Sequence, residues 1–212
     1  MVHFASSPKP TFSIWGPIQM AEEFLPGLWV VTTASHGGIM LSPSRQAAMP
    51  DALRLETADY EEDCDWALPV LAFREEFEAV RSDQASWLQL AEDTARCWHP
   101  DRYTAFTGKP VPINDSPVLR RREAYQAAIG NFCVNAAWGD WADWVPKGKT
   151  GVVASEVLSV DHLGRASYGQ QRRYALVDKE IYAEREEVFC LEDHPHEVIE
   201  MPNEFSPTKR VE

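Results

Sequence analysis

Thr150-Gly151-Val152-Val153-Ala154-Ser155-Glu156-Val157-Leu158-Ser159-Val160 is the stretch that decides the fold class of this chain. Four valines and a leucine in a run free of proline suit the pleated, half-buried surface of a β-strand. Arg172–Val177 and Glu187–Leu191 have the same character, with turns expected at Gly164, Gly169 and around Lys179. Upstream the periodicity changes. Trp87, Leu90, Ala91, Thr94 and Trp98 follow the i, i+3, i+4, i+7 spacing of an amphipathic helix, which His99-Pro100-Asp101 stops. Tyr103–Pro117, with Gly108, Pro110, Pro112 and Pro117, reads as loop. A long helix is predicted over Val118–Trp138, with Tyr125, Ile129, Phe132 and Ala136 on one stripe. Helices followed by a run of strands indicate a single α+β domain, an antiparallel sheet packed against a layer of helices.

The rest of the chain fits around that frame. Residues 1–27 carry four prolines and two glycines and read as an irregular N-terminal arm, residues 28–200 as the globular domain, and residues 201–212 as a tail. Leu28–Thr33 is a predicted strand and Ile39–Leu41 its return, with Ser35-His36-Gly37-Gly38 as an exposed turn in which a glycine takes positive φ. Ser42 is the expected cap of a short helix that starts at Pro43 and runs to about Ala48. Asp59 is read as the cap of another helix, with Glu61, Glu62 and Asp63 in its first turn and Pro69 limiting it.

Charge is the first feature that bears on function. The 212 residues are 44% hydrophobic, which excludes a disordered chain, and carry 33 acids against 20 bases for a net charge of −13. The whole excess lies in two windows. Asp51–Asp65 holds seven acids and Arg54, and Glu180–Glu200 holds eight acids and Arg185. Such a chain is repelled by free nucleic acid and by anionic lipid, and its partners are expected to present basic surfaces. Plain solubility is the competing reading of the same charge. The longest nearly apolar run, Trp66–Phe73, is far too short to span a membrane, and the N-terminus lacks the pattern of a signal peptide. Cys64, Cys97, Cys133 and Cys190 are scattered without a C-x-x-C pair and read as buried thiols of a cytoplasmic protein, in the cytosol of a bacterial host.

Motifs with chemistry are few. Gly148-Lys149-Thr150 has the ending of a phosphate-binding loop. Asp143 stands where that loop needs its first glycine, however, and a strand follows where it needs a helix. His194-Pro195-His196 among acids is read as a surface turn, so no metal ligand and no cofactor is assigned. Trp138, Trp141 and Trp144 pack on the core if their segment is helical and become interface anchors if it is irregular. His36 is the most exposed candidate, on a loop whose backbone can meet a partner. The expected partner-binding residues are His36, Gly37 and Gly38, then Glu61, Glu62, Asp63 and Asp65, then Glu186, Glu187, Glu192 and Asp193.

Thr33-Ala34-Ser35-His36-Gly37-Gly38-Ile39-Met40-Leu41-Ser42-Pro43 and Tyr60-Glu61-Glu62-Asp63-Cys64-Asp65-Trp66-Ala67 resemble an uncharacterised family associated with proteobacterial phages, plasmids and integrated elements. Phe106-Thr107-Gly108-Lys109-Pro110 and Arg173-Tyr174-Ala175-Leu176-Val177 are similar too. The resemblance brings no catalytic residues. It implies a mobile-element accessory protein, such as a counter-defence factor of the anti-CRISPR or anti-restriction type that blocks a basic nucleic-acid-binding surface of a host defence protein. The expectation is therefore a non-enzymatic binding protein. The alternative is a small hydrolase-like enzyme, metal-assisted, built on the His36 loop and the carboxylates at 61–65.

Overall fold

The computed structural model describes residues 3–80 and 85–202. Its architecture is α+β with antiparallel sheets, and chain contacts divide it into two units, Met1–Pro117 and Val118–Glu212.

The first unit is built on a four-stranded sheet of β3 (Met20–Leu25), β4 (Leu28–Thr32), β5 (Gly37–Leu41) and β6 (Asp59–Glu61), preceded by a small ribbon of β1 (Phe12–Ser13) and β2 (Gly16–Pro17). Strand β3 occupies part of the stretch expected to be an irregular arm, because it pairs with β4 along its length. The Glu23 carboxylate ties the N-terminal residues to the β3–β4 turn, accepting the N–H of Ser7 at 2.9 Å and of Gly27 at 2.8 Å.

Helix α1 (Pro43–Ala48) forms as its sequence indicates, with the Ser42 hydroxyl capping the Arg45 N–H. Arg45 is wholly buried. It donates to the Pro26 carbonyl at 2.6 Å and to both Glu76 oxygens at 3.2 and 2.7 Å, and its guanidinium lies over the rings of Phe4 and Phe73. Fixed geometry and five donors let arginine meet all these partners at once, which lysine does not do.

The helix expected from Asp59 is absent. Asp59–Glu61 is instead the edge strand β6, paired with Gly38–Met40, and helix begins only at α2 (Ala67–Ala72). Tyr60 decides this outcome. It is fully buried beside Ile39, and its hydroxyl donates to Gln46 at 2.9 Å and accepts the Leu55 N–H at 3.2 Å. Pro69 sits in the first turn of α2, where a missing N–H loses no helical bond.

Helices α3 (Arg74–Val80), α4 (Ala85–Trp98) and α5 (Pro100–Thr107) complete the unit. Helix α4 is where its periodicity places it, but the buried stripe is Leu88, Ala91 and Ala95, while Leu90 and Trp98 are exposed. Helix α5 covers part of the predicted loop, started by Pro100 and closed by Gly108 in the left-handed region.

The second unit opens with α6 (Pro117–Ala127) and holds a sheet in the order β10 (His196–Ile199), β9 (Ala166–Asp178), β8 (Lys149–Val160), β7 (Phe132–Trp138). The long helix predicted to Trp138 ends early. Gly130 has φ +88, and β7 then pairs with β8, so Phe132 enters the core with Val152, Ala154, Ala175 and Val177 from a strand. Helix α7 (Lys179–Ala183) leads to the loop that brings Phe189 and Leu191 into the same core. Cys190 bridges to Cys133, with the two buried thiol sulfurs 2.7 Å apart. Trp138 ends β7, and residues 139–144 after it are irregular. Trp138 and Trp144 pack edge to face, and Trp141 is 75% exposed. Thr150 lies within β8, so Gly148-Lys149-Thr150 is a basic turn leading into a strand.

Among the described residues, no helix is long and apolar enough to cross a membrane.

Candidate functional site

Three segments of the first unit supply chemistry: the β4–β5 turn, β6 with the turn after it, and the junction of α4 with α5. Thr33 closes the first. Its N–H and its hydroxyl both donate to the His36 carbonyl, at 2.7 and 2.9 Å, and its hydroxyl oxygen accepts the His36 N–H at 3.2 Å. Ser35 and His36 are exposed as expected.

Gly37 and Gly38, expected in that exposed turn, are buried in β5 instead. The turn closes one step earlier, so the glycines form ladder pairs with Thr32 and Val31. Gly38 has φ +153, and a Cβ there would strike the Tyr60 carbonyl and the Trp15 ring. A Cβ on Gly37 would meet the Glu62 carboxylate. These glycines admit close neighbours to the sheet, and the exposure expected of them is not found.

Strand β6 carries the first acidic window to the turn. Pairing of Gly38 with Glu61 sets the imidazole of His36 and the carboxylates of Glu61 and Glu62 within 4.8 Å of one another. Asp63 is exposed and does not join them, while its N–H donates to Glu61 at 2.8 Å. No lysine or arginine pairs with Glu61, Glu62 or Asp63 among the described residues.

Asp65 turns to the other side. Its Oδ1 lies 3.1 Å from Nε2 of His99 and 3.8 Å from the Cys64 thiol. Nε2 of His99 is buried and makes no hydrogen bond among the described residues, although Asp65 stands close to it. Burial pushes the Cys64 thiol up to about 12, reinforced by Asp65, Glu61 and Asp63. With its pKa raised in this way the thiol is protonated at neutral pH and is a poor nucleophile.

Beside these groups lies a cavity of about 390 Å³. Phe24, Trp66 and Trp87 line it together with the carboxylate-bearing residues Glu22 and Glu62, over Ile39. Trp66 stacks on Trp87 with ring centres 5.2 Å apart, and both rings are only half-buried. Aromatic faces beside carboxylates are a suitable environment for a guanidinium or an ammonium group.

The second window is arranged differently. Glu186, Glu187, Glu192 and Asp193 are all exposed, as expected. Glu187 is nevertheless paired with Arg120 at 3.0 Å, and Glu192 with Arg173 at 2.7 Å while it also accepts the Phe132 N–H at 3.2 Å. These two carboxylates serve the fold of the second unit. His194 stacks on Phe189 at 4.0 Å, and neither it nor His196 belongs to a cluster of potential metal ligands among the described residues.

Sequence patterns do not single out Cys64 and His99, or the grouping of Phe24, Trp66 and Trp87. In one dimension His99 is part of a helix stop, and the partners that give it meaning are remote in sequence. The adjacent Cys64-Asp65 pair is the one local signal.

An α+β protein with an acidic, aromatic-flanked sheet edge is a class defined by architecture rather than by chemistry. Residues 8–129 match the model of a domain of unknown function, DUF7007, and the chain belongs to that family. The matched stretch contains His36, the carboxylates at 61–65 and His99. No curated protein and no solved structure matches the chain.

Proposed function

We propose that this protein acts by stoichiometric binding, presenting the acidic edge of its first unit to a basic protein surface. The observation that carries the reading is the juxtaposition of exposed Glu62 and Asp63, with no internal cation among the described residues, and the cavity lined by Trp66, Trp87 and Glu22. Carboxylates steer a basic partner and set its register, and the aromatic faces give a partner arginine a place to stack. Basic surfaces of this kind belong above all to nucleic-acid-binding proteins. The resemblance to mobile-element proteins makes a host defence nuclease or its complex the partner of choice, and counter-defence the role.

The grouping of His36 with Glu61 and Glu62 favours a second reading, an enzyme that uses the imidazole and a carboxylate as acid and base. Two experiments separate the readings. Association with an oligoarginine peptide, followed across ionic strength, should weaken steeply as salt rises and disappear when Glu61, Glu62 and Asp63 are reversed together. Inactivation of a captured target at well below one protein per target, abolished by His36→Ala with binding intact, would establish turnover and overturn the binding reading.

A further inference from the structure

We propose that Cys64, Asp65 and His99 form a binding site for a divalent transition metal of the zinc class, with its remaining coordination position open. The site is independent of the acidic contact edge and would stand if that reading failed.

The donor set is the first argument. A thiol, a carboxylate and an imidazole are the three ligand types that zinc takes, and a sulfur ligand disfavours magnesium and calcium. They come from two segments far apart in sequence, and the fold alone assembles them: the turn after β6 supplies Cys64 and Asp65, and the junction of α4 with α5 supplies His99. All three ligand atoms lie within 4.8 Å of one another.

Spacing is the second argument. Ligands held about 2.0–2.3 Å from a tetrahedral zinc stand roughly 3.3–3.8 Å apart. The observed separations are 3.1 Å from Nε2 of His99 to Oδ1 of Asp65, and 3.8 Å from that oxygen to Sγ of Cys64. Small adjustments of these side chains suffice to close on an ion.

The third argument is the state of His99. Its side chain is only 11% exposed, and its buried Nε2 has no hydrogen bond of its own. A buried polar atom in that condition is costly unless something satisfies it. A cation between Nε2, the carboxylate and the sulfur meets that need. On binding, the thiol releases its proton to solvent and the thiolate takes the metal, while neutral His99 donates its Nε2 lone pair. Three protein ligands leave one tetrahedral position for water or a ligand, as in a zinc site that does chemistry.

Titration of the metal-free full-length protein with Co(II) tests the proposal. The expected result is stoichiometric uptake, with a thiolate-to-cobalt charge-transfer band and the intense visible bands of four-coordinate cobalt, both displaced by Zn(II). Cys64→Ser should abolish the charge-transfer band, Cys97→Ser should keep it, and His99→Gln or Asp65→Asn should weaken affinity by about tenfold or more. Failure of the unaltered protein to bind Co(II) or Zn(II) stoichiometrically overturns the proposal. So does a charge-transfer band that persists in Cys64→Ser. Because the first readout needs no variant, a variant that fails to fold does not rescue the idea. Neither outcome touches oligoarginine binding, which tests the other reading separately.

Discussion

The two acidic windows are nearly interchangeable as strings, yet the fold uses them in opposite ways. In the second, α6 and β9 bring Arg120 and Arg173 to Glu187 and Glu192, so part of the charge is spent inside the unit. In the first, the sheet brings His36 to Glu61 and Glu62, and α4 ends at His99 beside Asp65, so the carboxylates meet imidazoles and solvent. The difference teaches that charge counted along a chain is not charge available to a partner. Availability depends on which cations the neighbouring elements supply.

The sharpest way to break the comparison is to remove what holds the first window in place. Tyr60→Ala should destabilise the protein by about 3–5 kcal/mol, read from urea denaturation, since a wholly buried ring and two hydrogen bonds are lost. It should also disperse the His36–Glu61–Glu62 group, seen as changed His36 chemical shifts. Tyr182→Ala, at the start of the second window and only half-buried, should cost markedly less. Equal losses would mean that the windows are anchored alike.

Gly38→Val comes next. Positive φ and the approach of the Tyr60 carbonyl and the Trp15 ring predict a loss of at least ~2 kcal/mol and displacement of β6 from β5. Gly37→Val should cost less, because the Glu62 side chain that it meets can swing away, although the Val31 carbonyl also stands close. Normal stability of Gly38→Val would mean that β5 and β6 do not need a glycine at their closest approach.

Smaller effects come from neutralising the acids themselves. Glu192→Gln should cost about 1 kcal/mol, because it weakens the Arg173 pair and the bond from the Phe132 N–H. Asp63→Asn should be neutral or slightly stabilising in the same denaturation measurement, since it relieves repulsion and removes no cation pair. On association with oligoarginine, each reversal at 61–63 should contribute only ~0.2–1 kcal/mol, so grouped reversals are needed for a clear loss. Equal grouped reversals at Glu186, Glu187 and Asp193 should matter less. If they matter more, the contact face has been assigned to the wrong unit.

The smallest effect is kinetic. Cys133 and Cys190 are buried, and burial raises both thiols, so alkylation in the native protein should proceed only as fast as the second unit opens. Cys97, half-buried, should label faster under the same conditions. Rapid labelling of all three would mean that the second unit is looser than its core implies.

By itself the sequence determined the α+β class, the strands around Val30, Val153 and Ala175, the capped helix at Pro43 and the concentration of charge. These follow from local rules: β-branched runs, a serine before proline, helical periodicity and simple counting. Tertiary structure decided the rest. Asp59–Glu61 has the composition of a helix start, but burying Tyr60 against Ile39 and pairing with β5 outweighed that preference, which amounts to tenths of a kcal/mol per residue. Phe132–Trp138 left its predicted helix because the free edge of β8 offered a ladder of pairings broken at one bulge between Val134 and Ala136. The Cys64–Asp65–His99 cluster could not be seen in one dimension, since its members meet only when the turn after β6 and the end of α4 are folded together. Local preference is written residue by residue, whereas burial and the convergence of ligands depend on which distant segment arrives alongside.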